Sequence, residues 1–398
     1  MPVRAMTRLS RALTIDDLRE LARRRSPKMF FDYMESGSWS EQTFRENVID
    51  FARIRLRQRV AVNIDGRSLA TTIAGQAWAM PVALAPIGLA GMQIADGEIL
   101  AARAAKKAGV PFTLSTMSIC SIEDIAANTS RPFWFQLYVM RDRGFVERLI
   151  DRAKAANCSA LVLTVDLQML GQRHKDLRNG LSVPPRFTPK HVWQIATRPR
   201  WALGMLQTSR HTFGNIAGHA TNDRDIGSVV AWTNSQFDPT LSWSDVTWVK
   251  KRFGGKVIVK GVLEVEDARS AVAAGADAIV VSNHGGRQLD GAPSSISVLP
   301  EIVDAVGDRT EVLFDSGIRS GQSVLKALAL GARAVFIGRA FAYGLAAGGE
   351  AGVTRALEII GRELDLTMAF CGARQIREVG RHNLRPLPMP GLGQDFPA

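Results

Sequence analysis

Eight short apolar runs, distributed between residues 82 and 338, constrain the fold more than any other feature of the chain. They read VALAP (82–86), PFTLS (111–115), FWFQL (133–137), ALVLTVD (160–166), KVIVKG (256–261), AIVVS (278–282), EVLFD (311–315) and AVFIG (334–338). Each is long enough for a strand and too short for a helix. Between them lie alanine-rich segments with helical spacing, such as GEILAARAAKKAG (97–109), VEDARSAVAAG (265–275) and GQSVLKALALG (321–331). A strand that lacks apolar–polar alternation is covered on both faces, the situation of parallel strands flanked by helices. Eight such units predict an α/β fold of the (β/α)8, or TIM-barrel, type. The pattern alone is also met by an open, doubly wound sheet.

The length of 398 residues suits one barrel domain spanning 1–398 with additions. Residues 1–46 form a helical N-terminal segment in this reading: Leu18, Leu21 and Met29 recur in a charged background, and Thr14 with Asp17 makes a capping box. The fourth and fifth runs are separated by about 90 residues, too many for a linker. Residues 177–240 are therefore an insertion on the barrel, serving as a lid or as a membrane-attachment segment. It holds Pro184, Pro185, Pro189 and Pro199, and the helix-like LSWSDVTWVKKRFGG (241–255) follows it.

Three cysteines, Cys120, Cys158 and Cys371, are too few and too scattered for a disulfide framework or a metal site, and a reducing cytoplasmic location is expected. The N-terminus lacks the apolar core of a signal peptide, and no run of 18 apolar residues exists to span a membrane. Net charge is +12, and half of that excess sits between Lys175 and Arg210, where seven basic residues face one acidic, Asp176. No nucleic-acid-reading motif accompanies the basic stretch, so no nucleic-acid partner is expected. Apolar Trp193, Ile195, Trp201, Leu203, Met205 and Leu206 instead alternate there with Lys190, Arg198, Arg200 and Arg210. That mixture suits a segment lying in a membrane interface, peripheral on the inner face of the cell membrane.

In a barrel, chemistry collects where strands end. Polar residues stand at those ends here: Ser115, Gln136 with Tyr138, Thr164 with Asp166, Lys260, Ser282 with His284, Asp315, and Gly338 with Arg339. The last two ends, DSGIRSG (315–321) and IGRA (337–340), combine Gly317 and Gly338 with Arg319 and Arg339. Close backbone approach plus positive charge makes a phosphate site. SNHGGRQLD (282–290) sends His284 and Arg287 from a single strand end. An arginine can hold a carboxylate bidentately, and an imidazole oriented by a carboxylate such as Asp166 can take a proton.

With PKMFFDYMESG (27–37), APIGLAGM (85–92), LSTMSICSIED (114–124), FQLYV (135–139) and LGQRHKDLRNG (170–180), these segments make the chain resemble a known family. It is similar to the FMN-dependent L-2-hydroxy acid oxidising enzymes, which include L-lactate and mandelate dehydrogenases and glycolate oxidases. The resemblance implies FMN as cofactor and oxidation of a small L-2-hydroxy acid, lactate foremost, to the 2-oxo acid. It implies His284 as base supported by Asp166, and Arg287, Arg173 and Tyr33 at the substrate carboxylate, with Tyr138 near the hydroxyl. Hydride transfer from Cα, or proton abstraction there to a carbanion, would use the same residues. Lys260 is implied beside flavin N1. Pro86, Ile87, Gly88, Ser115, Gln136, Thr164 and Ser282 are implied around the flavin ring. Asp315, Ser316, Gly317, Arg319, Gly338 and Arg339 are implied along the ribityl phosphate.

Gln168 stands where the family often has proline, and Met117 where glycolate oxidases have tryptophan, which leaves the substrate side chain open. Gly88 is the residue of the dehydrogenases rather than the oxygen-using members, and the long basic insertion resembles that of membrane-attached members. A quinone or similar carrier is thus the implied electron acceptor, with a peroxide-forming oxidase as the alternative and a catalytically inactive flavin scaffold as the rival of another class. Homotetramers are the implied assembly.

Overall fold

The computed structural model describes residues 9–180, 188–216 and 235–385. All eight predicted runs are strands of one parallel sheet: β3 (Val82–Leu84), β4 (Thr113–Ser115), β5 (Trp134–Leu137), β6 (Ala160–Thr164), β7 (Lys256–Val262), β8 (Ala278–Val281), β9 (Glu311–Phe314) and β10 (Ala334–Ile337). They pair in chain order from β4 to β10, β10 then pairs with β3, and a bridge between Leu84 and Phe112 brings β3 against the start of β4. The sheet is a TIM barrel, not the open alternative. Sequential pairing leaves no topological switch point.

Side-chain alternation along the strands decides what the barrel interior contains. Lower inward positions form an apolar plug: Ala83, Trp134, Ala160, Val162, Ile258, Ala278, Val280, Leu313, Ala334 and Phe336 are buried in one cluster. Trp134 sits at its centre, 5.5 Å from Trp78 and 5.9 Å from Phe336. Two residues further up each strand, the same parity gives Gln136, Thr164, Lys260, Ser282, Asp315 and Gly338. The bottom layers hold the barrel together, and the top layer is polar because it is the floor of a site.

Three features were not legible in the strand pattern. A hairpin, β1 (Thr71–Ile73) and β2 (Gln76–Trp78), delivers Trp78 to the base of the plug. The N-terminal segment is three helices, Ile15–Arg25, Lys28–Glu35 and Gln42–Arg53, the last extending beyond residue 46. The first begins with the expected reciprocal capping of Thr14 and Asp17. In the insertion, Pro189 and Pro199 do not interrupt structure but start the helices Pro189–Ala196 and Pro199–Gln207, the position where a missing N–H costs nothing. Pro184 and Pro185 lie outside the described residues.

One face of the helix Pro199–Gln207 is held against the barrel. Trp201 stacks on Phe30 at 5.3 Å and donates its indole N–H to the Met92 carbonyl at 2.9 Å. Ile195 and Met205 join the same inner cluster. Arg210 is not a free surface charge: it bridges Asp96 at 2.9 Å and Asp124 at 2.7 Å, fastening the insertion to the barrel. Only Trp193, Leu203 and Leu206 of the six apolar residues face outward, together with Val192. The side chain of Lys190 lies outside the described residues.

Candidate active site

Above the plug opens a cavity of about 1370 Å³, bounded by the strand ends, the helix Lys28–Glu35 and the insertion. His284 enters it from the turn after β8 with a left-handed backbone (φ 57°), a conformation uncommon for a residue with a Cβ and typical of functional turns. Its Nδ1 is 2.7 Å from Asp166 Oδ1, which leaves Nε2 for a substrate. Asp166 reaches that position because β7 carries a bulge at Gly261. Gly261 has φ 109°, and a Cβ there would lie 2.6 Å from the Asp166 side chain. Burial opposes ionisation of Asp166, yet His284 and Lys260 together hold its carboxyl below the usual carboxylate range. The pair is thus a carboxylate-oriented imidazole.

On the same cavity two guanidiniums lie near the Tyr33 ring, with Arg287 at 4.7 Å and Arg173 at 5.7 Å from its centroid. Arg287 Nη1 donates to the carbonyls of Tyr33 (2.7 Å) and Ser36 (3.0 Å). Those bonds fix the fork and leave Nε and Nη2 for a carboxylate. Arg173 Nε is 3.1 Å from Asp176 Oδ2. Burial raises the Asp176 carboxyl above its ordinary range, against the pull of Arg287 and Arg173. Tyr138 completes this side. Burial, reinforced by Asp166 and Tyr33, pushes its phenol far up, so it remains a hydrogen-bond donor.

The floor continues into a second polar region. Lys260 is buried, 3.2 Å from Asp315 Oδ2, and donates to Ser282 Oγ at 2.9 Å. Burial works against its charge, but Asp315 and Asp166 outweigh it and raise its pKa. Further round, Arg319 lines the cavity beside Gly317 and Ser316, and Gly338 precedes a helix whose N-terminus has no side-chain cap. Arg339 is crowded: burial, then Arg287 and Arg319, push its pKa down to about 9.

These residues fit the FMN implied by the sequence. An uncapped helix N-terminus beside crowded arginines is a site short of an anion, which a phosphate would supply. Gln136 Nε2 and Thr164 Oγ1 are buried without hydrogen-bond partners, the mark of groups waiting for a polar ring edge. Pro86, Ile87, Gly88 and Ser115 form the wall beside them.

Of the residues singled out from the sequence, Asp166 and Ser282 stand behind the cavity wall and not on it. Asp166 backs His284, whereas Gln136 accepts from Ser115 Oγ at 3.1 Å through Oε1 and keeps Nε2 for the ring edge. Ser282 accepts from both Lys260 and the His284 N–H, so it positions them. Arg339 reaches the cavity and donates three of its five N–H groups to the carbonyls of Met34, Ser36 and Gly285 at 2.7, 2.8 and 3.0 Å. It ties the N-terminal segment over the barrel, and its remaining Nη1 and Nη2 donors stand on the cavity with Arg319. Sequence reasoning missed Gly261 and Asp176. The first was visible as the glycine ending KVIVKG. The second was counted only as the lone acid in a basic stretch.

The chain is similar to known proteins over nearly its whole length. Residues 22–386 match the family described as FMN-dependent dehydrogenase. An L-lactate dehydrogenase of Stenotrophomonas maltophilia (strain R551-3) is 47% identical over 373 residues, covering 94% of this chain and 98% of that protein. An L-lactate dehydrogenase of Azorhizobium caulinodans is 47% identical over 374 residues, with the same coverage. Among solved structures, the monotopic membrane protein (S)-mandelate dehydrogenase superposes with a TM-score of 0.90 at 37% identity, covering 94% of this chain and 99% of its own. A mandelate oxidase with benzoyl-formic acid superposes at 0.79 and 37% identity, covering 94% and 98%.

Proposed function

The chain belongs to the FMN-dependent dehydrogenase family, and from that premise we propose that it oxidises L-lactate to the 2-oxo acid and delivers the electrons to a quinone or another non-oxygen acceptor. FMN, when bound, supplies the acceptor for the electron pair. The single observation that carries the reading is the His284–Asp166 pair, 2.7 Å apart, whose imidazole shares with Arg287 and Arg173 one cavity floored by the buried Lys260. Arg287 and Arg173 receive the carboxylate, Tyr33 packs beside them, and Tyr138 donates to the substrate hydroxyl. His284 Nε2 takes the hydroxyl proton as the Cα hydrogen departs as hydride with the bonding electron pair, and Asp166 offsets the imidazolium charge. In the carbanion route the same nitrogen takes the Cα proton. Lys260 holds positive charge where reduction adds negative charge.

Purified protein is expected to release FMN, identified by mass spectrometry, and to reduce an artificial dye anaerobically with L-lactate. Release of FAD would refute the cofactor, and bound FMN without turnover of any 2-hydroxy acid would leave a scaffold. Oxygen uptake matching turnover would make the protein an oxidase.

The acceptor reading joins a surface feature. Val192, Trp193, Leu203 and Leu206 are 65%, 71%, 57% and 83% exposed on the two insertion helices, close in sequence to Arg198 and Arg200. Large apolar side chains turned outward beside cations suit an anionic bilayer surface. Among the described residues no helix is long and apolar enough to cross a membrane, so the contact is peripheral. The likeness to a monotopic membrane enzyme supports it. The intact chain, acting as one catalytic domain and a homotetramer, is expected to sediment with anionic vesicles at low salt. A Val192→Ser, Trp193→Ser, Leu203→Ser variant is expected to remain in the supernatant with its dye-linked turnover intact. Intact protein that stays in solution would reduce the insertion to a lid.

A further inference from the structure

We propose that Asp176 is a built-in competitor for the substrate carboxylate, holding Arg173 between turnovers and limiting how tightly the site retains its anionic product. The inference rests on Arg287 and Arg173 being the carboxylate clamp. Arg173 and Asp176 are three residues apart at the start of the short helix His174–Arg178, so one helical turn brings them together. Asp176 Oδ2 is 3.1 Å from Arg173 Nε, and Oδ1 is buried without a hydrogen-bond partner. The residue is only 6% exposed and forms part of the cavity wall.

The charges on this side of the cavity do not suit the tightest possible grip. Arg287 and Arg173 lie near Tyr33, and Asp176 places one carboxylate beside them. An arriving substrate carboxylate meets like charge at the guanidinium it needs, and must share Arg173 with Asp176 or take it over. Substrate and product carry the same carboxylate, so a clamp without Asp176 would hold both more firmly. Binding that does not distinguish them from the transition state adds nothing to kcat and slows release. Asp176 also keeps Arg173 at the cavity wall when no anion is present. It is a positioning residue, acting through Arg173.

The test compares the holoenzyme with Asp176→Asn, which keeps the shape and one acceptor oxygen but removes the charge. Pyruvate binding is read from the perturbation of the flavin absorbance, alongside kcat and KM for L-lactate. Asp176→Asn is expected to bind pyruvate about tenfold more tightly, the scale of one like-charge contact removed from a part-buried site. KM is expected to fall, and kcat to fall with it as release slows. The gain is expected to vanish in the Arg173→Met, Asp176→Asn double variant. Damage to structure alone would weaken binding, so the sign separates the two roles, and Asp176→Ser provides a second charge-removing variant with the same expectation. Unchanged or weaker pyruvate binding in both charge-removing variants overturns the proposal. Arg287→Ala and Arg173→Met tell the two failures apart: if neither weakens pyruvate binding, the clamp reading itself falls.

Discussion

Replacing His284 by glutamine is expected to lower kcat by about 10²–10⁴-fold, the usual scale for a positioned base, while FMN stays bound at the parent stoichiometry. Glutamine retains bulk and can hydrogen-bond to Asp166, but it cannot accept the substrate proton at Nε2. The proposed phosphate and ring contacts lie elsewhere, on Arg319, Gly317, Gly338, Gln136 and Thr164, so the cofactor has no reason to leave. The measurement is stopped-flow bleaching of the flavin by L-lactate under anaerobic conditions, paired with the flavin-to-protein absorbance ratio. Near-parent bleaching would assign the base elsewhere. Loss of FMN would mean that His284 supports the cofactor and not the proton transfer.

Gly317→Ala is expected to yield protein depleted of FMN and lower in Tm by several degrees. Gly317 has φ 83°, where a Cβ is strained, and that Cβ would overlap the Asn47 carbonyl on the helix Gln42–Arg53. The left-handed conformation costs about 1–2 kcal/mol and overpacking about 1–3 kcal/mol, roughly 2–5 kcal/mol together. Relief requires the helix to retreat. Asn47 exchanges hydrogen bonds of 2.9 and 2.8 Å with Asn283, the residue before His284, so the retreat is transmitted to the catalytic turn. Differential scanning calorimetry with and without added FMN measures both effects. A variant with parent Tm and full FMN would show that the turn accommodates a side chain, and that close packing against Asn47 does not shape the phosphate loop.

The two cases differ in how far the sequence led to them. His284, Arg287 and Asp166 could be found from the chain alone because strand ends and glycine-bracketed turns are local signals, read from neighbours a few residues apart. The same holds for the eight strands, since burial on both faces writes itself as short apolar runs. The polar floor was legible by parity: Gln136, Thr164, Lys260 and Asp315 each follow an inward apolar residue by two positions.

What the chain could not disclose depends on partners far away in sequence. Trp201 and Arg210 read as lipid-facing from composition, yet closure of the fold places Phe30 and Met92 beneath the first and Asp96 and Asp124 around the second. Arg339 reads only as a phosphate-side cation, yet it also holds the carbonyls at the end of the helix Lys28–Glu35 and of the turn after it. Asp176 reads as background charge until the fold brings Arg287, more than a hundred positions later, close to it and to Arg173. Periodicity and turn chemistry are properties of short stretches, so the sequence by itself determined the eight strands and the polar residues at their ends, while closure of the sheet into a barrel came from the tertiary structure. How many donors each arginine keeps for an anion, and how many go to carbonyls or carboxylates, is a matter of groups brought together by closure, and only the tertiary structure decided it.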